Sequence, residues 1–79
     1  MNKEEIFNKV AAVISEQLEK NQSDITLTTS FSDDLEADSL DVFEVVDNLE
    51  DEFDIEIDTD QDLDTVGNLV DYIDKEVNK

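Results

Sequence analysis

The sequence contains no cysteine and no histidine. That removes disulfides, thiolate and imidazole metal ligands, and the commonest general base. It has no proline, no tryptophan and a single glycine, so no Pro-rich or Gly-rich linker divides it. Basic residues are scarce: five lysines stand against 24 Asp and Glu, a formal charge of −19. With no Lys or Arg cluster to meet phosphates, nucleic-acid binding is excluded, and an anionic membrane surface repels the chain for the same reason. No apolar run approaches the length of a spanning helix, and no signal-peptide core is present near the N-terminus. These absences predict an acidic protein of the cytoplasm, monomeric through like-charge repulsion, with little catalytic equipment of its own.

What is present is just enough to fold. At 79 residues the chain supports one core, read as a single domain over residues 1–79. Only 38% of residues are hydrophobic and 37% are charged, close to the boundary with disorder, so apolar residues must be placed efficiently. In residues 3–20, Ile6, Phe7, Val10, Val13, Ile14 and Leu18 follow the helical period. Asn2 and Glu5 are spaced to cap the start, and Asn21 is a candidate left-handed stop. The period fails from Gln22 to Asp38, where Ile25, Leu27, Phe31 and Leu35 are isolated apolar anchors in a long polar loop. Ser39 or Asp38 is placed to cap a second helix that runs to about Phe53, with Val42, Val46, Leu49 and Phe53 in one stripe that Phe43 and Val45 widen. Ile55 and Ile57 then alternate with acids in an extended connector, and a short turn is expected over Thr59 to Leu63. A last helix starts near Asp64 or Thr65 and carries Val66, Leu69, Val70, Ile73 and Val77 on one face. The expectation is all-α: a small antiparallel four-helix bundle, three main helices and one short, with a long loop between the first two.

From Asp33 to Asp64 there are 16 acidic residues and no basic one. On the second helix Asp41, Glu44, Asp47 or Asn48, and Asp51 recur at three- and four-residue steps, a ridge whose repulsion opposes helix formation. A solvated face explains such a ridge, and so does docking to basic patches on partners; charge alone leaves the two nearly even. Asp58, Asp60 and Asp62 open like a calcium loop, but Leu63 and Leu69 stand where Gly and Glu are required, so no metal site is assigned. Ser39 follows the patterned loop and opens the acidic helix. An ordinary capping serine is one reading. A hydroxyl modified by another enzyme is the other, because no His exists to activate it as a nucleophile, while a phosphodiester there would meet the positive end of the helix dipole.

The run Asp34, Leu35, Glu36, Ala37, Asp38, Ser39, Leu40, Asp41 resembles the phosphopantetheine attachment motif of acyl carrier proteins. It continues through Glu44, Val45, Val46 and Leu49 into Glu50–Ile57, and Thr65, Val66, Gly67, Asp71, Tyr72 and Ile73 resemble the closing helix. The resemblance spans essentially the whole chain and is nearest to the dissociated bacterial type II carriers of fatty acid synthesis. It implies a carrier and not an enzyme. Ser39 would bear 4′-phosphopantetheine, taken from coenzyme A by a phosphopantetheinyl transferase, and the arm would hold acyl intermediates as thioesters for fatty acid synthase enzymes. Asp38, Asp41, Glu44, Glu50 and Asp51 match the acids that meet basic docking patches on those partners. Phe31, Val46, Leu49, Ile57, Leu63 and Tyr72 are the candidate lining of an acyl pocket, each equally well explained as core. A carrier of a polyketide, aminoacyl or D-alanyl pathway is the alternative within the family, and a non-acylated acidic interaction module the alternative outside it. Three positions depart from the family's habit: Glu36 replaces a usual Gly, Asp47 a frequent Met, and Asp58 a usual Pro.

Overall fold

The computed structural model describes residues 2–57 and 64–78. Within them an apolar residue at every third or fourth position winds three helices: α1 over Lys3–Leu18, α2 over Ser39–Phe53 and α3 over Val66–Val77. Each buries one face: Ile6, Val10, Ala11 and Ile14 from α1; Val45, Val46 and Leu49 from α2; Val66, Leu69, Val70 and Ile73 from α3. α1 packs closely on both other helices, whereas α2 and α3 approach each other far less closely. Phe31 and Leu35 from the loop and Ile57 from the connector join the same core. The fold is the expected helical bundle. The short turn expected over Thr59 to Leu63, where the bundle's minor helix would fall, lies outside the described residues, as does Leu63 itself.

Helix ends follow local chemistry. Asn2 Oδ1 accepts the Glu5 N–H at 2.8 Å, as its spacing predicts. The far end of α1 corrects the sequence expectation. The helix stops at Leu18, and Glu19, not Asn21, takes the left-handed conformation at φ 55. Lys20 N–H then reaches back to Ser15 O at 3.2 Å, and the Ser15 hydroxyl donates to Lys20 O at 2.5 Å. A Schellman-type ending therefore forms on whichever residue follows the last apolar contact, which is Leu18. Asn21 is extended, at φ −71, and precedes a single 3-10 turn over Gln22–Asp24.

The long loop is packed down, but by three of its four anchors. Ile25, Phe31 and Leu35 are buried, while Leu27 is 50% exposed. Leu27 contributes its carbonyl instead, which accepts the Gly67 N–H at 2.8 Å. Thr29 O accepts Val66 N–H at 2.9 Å, and Thr65 Oγ1 accepts Asn68 N–H at 3.2 Å. The first three donors of α3 are thus all satisfied, two of them by the loop. Phe31 N–H also donates to Asp64 O at 2.9 Å, and a lone antiparallel bridge joins Ser30 to Thr65. The loop is a strap over the start of α3, and its other end delivers the chain to the start of α2.

Candidate functional site

Ser39 is the first residue of α2, and it does not cap it. Asp38 does: its Oδ1 accepts the Asp41 N–H at 2.9 Å, and Asp41 Oδ2 accepts the Asp38 N–H at 3.4 Å. This reciprocal box takes the role that a capping serine would have had. Ser39 is exposed, and among the described residues nothing hydrogen-bonds its hydroxyl or the N–H groups of Ser39 and Leu40. The loop closes the start of α3; among the described residues no such strap covers the start of α2. An exposed, uncommitted hydroxyl therefore sits beside free donors and the positive end of a 15-residue helix.

The approach to that hydroxyl is set by a strained backbone. Ala37 N–H donates to Phe31 O at 2.8 Å, tying the chain down just before the helix. Glu36 turns it there with φ 51, the left-handed conformation that a glycine would adopt freely. The position that departs from the family's habit thus keeps the backbone the glycine would supply. A polar groove lined by Lys20, Leu35, Glu36 and Asp41 runs beside this turn.

Around α2 the acids separate by role. At about 100° per residue, Glu44, Asp47 and Asp51 fall on the face opposite Val46 and Leu49, and all three are exposed. Leu40 and Phe43 share that outward side, 74% and 59% exposed. Phe43 was expected to widen the buried stripe; its angular position, about 100° from the stripe's centre, turns it to solvent instead. That angle is readable from sequence and would have marked Leu40 and Phe43 as an apolar pair on an acid-lined face. Asp38 and Asp41 are committed to the cap. Glu50 is half-buried, and its Oε2 accepts the Ile57 N–H at 2.7 Å. The five predicted docking acids thus do not form one uniform patch. Of the pocket candidates, Phe31, Val46, Leu49 and Ile57 are all buried and Tyr72 is half-buried, so they are brought together as core.

Residues 8–73 match the protein family described as "Phosphopantetheine attachment site". The chain belongs to the acyl carrier protein family. It is 51% identical over 70 residues to the acyl carrier protein of Streptococcus pyogenes serotype M3, covering 89% of this chain and 93% of that one. With the acyl carrier protein of Streptococcus pneumoniae serotype 4 it shares 49% over 71 residues, 90% of this chain and 95% of the other. The solved structure of the acyl carrier protein from Enterococcus faecalis superimposes with a TM-score of 0.76 at 41% identity, covering 99% of this chain and 98% of that one. Family membership makes this a carrier, not a catalyst, and the group its family bears is 4′-phosphopantetheine. Such carriers serve as substrates of phosphopantetheinyl transferases and of the enzymes of fatty acid synthesis.

Proposed function

We propose that Ser39 is the attachment residue for 4′-phosphopantetheine and that the chain carries acyl intermediates of fatty acid synthesis in the cytoplasm. The observation that carries the reading is the uncommitted Ser39 hydroxyl at the first position of α2, with the cap made by Asp38. The residues present fit the group. A phosphodiester on Ser39 faces the free N–H groups of Ser39 and Leu40 at the favourable end of the helix dipole. When bound, the arm supplies the thiol that this Cys-free chain lacks.

The chain's own residues do the rest. Ala37 and Glu36 hold the turn that presents the hydroxyl. Glu44, Asp47 and Asp51 put negative charge on the outward face of α2, which steers partners whose docking patches are basic. Leu40 and Phe43 offer those partners an apolar contact between the charges. Asp38, Asp41 and Glu50 add to the field while holding local structure. Because α2 and α3 approach each other little, an acyl chain would part Val46, Leu49, Phe31 and Ile57 at that seam. Leu63 and Tyr72 complete the proposed lining, Leu63 from outside the described residues.

The test is loading. Incubation with coenzyme A and an active phosphopantetheinyl transferase adds one phosphopantetheinyl mass to the wild-type chain and none to Ser39→Ala. A modified Ser39→Ala protein, or an unmodified wild type beside a control carrier that loads, overturns the assignment.

A further inference from the structure

Glu50 differs from the other acids of α2 in what it holds. It lies about 80° from the centre of the buried stripe, on the shoulder of the helix, and is half-buried. Its carbonyl accepts the Ile55 N–H at 3.1 Å, and its Oε2 accepts the Ile57 N–H at 2.7 Å. Just before those contacts, at the end of α2, Asp54 takes φ 54 and turns the chain back along the helix. Both bonds come from one residue, and together they set the depth at which Ile57 enters the core, 6% exposed. Among the described residues the connector pairs with no strand, so Glu50 stands in for the ladder partner its backbone would otherwise need.

A carboxylate has two acceptor oxygens. With Oε2 committed to Ile57, Oε1 is left to meet a cation at the edge of the acidic face. A Lys or Arg that binds Oε1 withdraws charge from Oε2 and draws the side chain outward, weakening the bond to Ile57. Glu44 and Asp51 have no such line into the core, since among the described residues no connector N–H bonds to them.

We propose that Glu50 is a positioning residue that couples docking of a basic partner on α2 to the seating of Ile57, and through it to the wall of the acyl pocket. The consequence for cargo rests on the reading of Ile57 as pocket lining; the coupling itself does not. Docking on Glu50 loosens Ile57, so the wall yields when a partner is present and stays closed when none is.

The experiment is amide hydrogen exchange by NMR on the full chain, with Ile57 compared to Leu49 so that global unfolding cancels. Glu50→Gln keeps an acceptor and loses the charge; Glu50→Ala loses both. The expected result is Ile57 exchange within about twofold of wild type in Glu50→Gln and about tenfold faster in Glu50→Ala. Wild-type exchange in Glu50→Ala overturns the proposal, as does a Gln variant as fast as the Ala variant. In a second arm, a phosphopantetheinyl transferase is titrated into the wild type, Glu44→Gln and Glu50→Ala proteins. The Ile57 amide resonance moves toward its Glu50→Ala position in wild type and Glu44→Gln and stays put in Glu50→Ala; a stationary wild-type resonance in the formed complex overturns the coupling. Failure to load Ser39 with the exchange pattern intact faults the carrier reading alone, and normal loading with a flat pattern faults this one alone.

Discussion

Left-handed backbone costs a residue with a Cβ roughly 1–2 kcal/mol, yet this chain puts Glu19, Glu36 and Asp54 there. Its only glycine is used elsewhere. A Cβ on Gly67 would lie 2.6 Å from Leu27 O, the same carbonyl that accepts the Gly67 N–H. Two opposite predictions follow from these positions. Glu36→Gly relieves strain, less the entropy glycine brings to the unfolded chain, and should raise stability by about 0.5–1 kcal/mol in urea titration. An unchanged or lower midpoint would show that the turn carries no strain. Gly67→Ala gains helix propensity but drives a methyl into fixed backbone, and should destabilise by about 1–3 kcal/mol. A neutral result would mean that the strap shifts freely.

At the scale of elements, the start of α2 separates two neighbouring side chains by job. Asp38→Ala removes the cap and should cost about 1 kcal/mol, whereas Ser39→Ala should stay within about 0.5 kcal/mol of wild type. Thermal melts of the two variants check this, and a Ser39→Ala loss matching that of Asp38→Ala would return the serine to a capping role. The salt bridge between Lys3 and Asp71 ties α1 to α3. The hydrogen bond that Lys3 donates to Asp71, and then the charge of that carboxylate, hold the Lys3 pKa above the ordinary 10.5. A raised lysine pKa gives stability that is complete below the unfolded value and is lost as pH climbs through the folded one. Melting temperatures of wild type and Lys3→Met should therefore differ by a constant amount near neutrality and converge above the lysine range. Parallel curves at high pH would contradict the pairing.

The three helices and the packed loop were legible because the apolar periods of α1, α2 and α3 leave only one face each to bury. Ser39, Glu36 and the acidic ridge were legible as a run of residue types. The stop of α1 was not, because it depends on where packing ends at Leu18 rather than on a favoured stop residue. Phe43 keeps the three-residue step to Val46 but lies about 100° from the stripe's centre, and that angle turns it to solvent. The commitment of Glu50 to Ile57 is invisible locally, since it joins residues seven apart across a turn held by Asp54.

The whole molecule carries −19 charges yet has a radius of gyration of 11.1 Å, near the roughly 11.6 Å of an ordinary globular chain of this length. Self-repulsion is thus held in the folded state, so added salt or millimolar divalent cations should raise the melting temperature; curves that do not move would deny it. Docking works through the same field. Reversing Glu44 to Lys should slow transfer of the arm severalfold while leaving the melt nearly unchanged, and wild-type kinetics would reduce the ridge to a solubility device. The most direct measurement is fragment-ion mass spectrometry of the protein isolated from its own cells. The account predicts a phosphopantetheinyl group on Ser39 and on no other of the chain's serines, with acyl thioesters on a fraction of it. A bare Ser39, or the group on another residue, would contradict it.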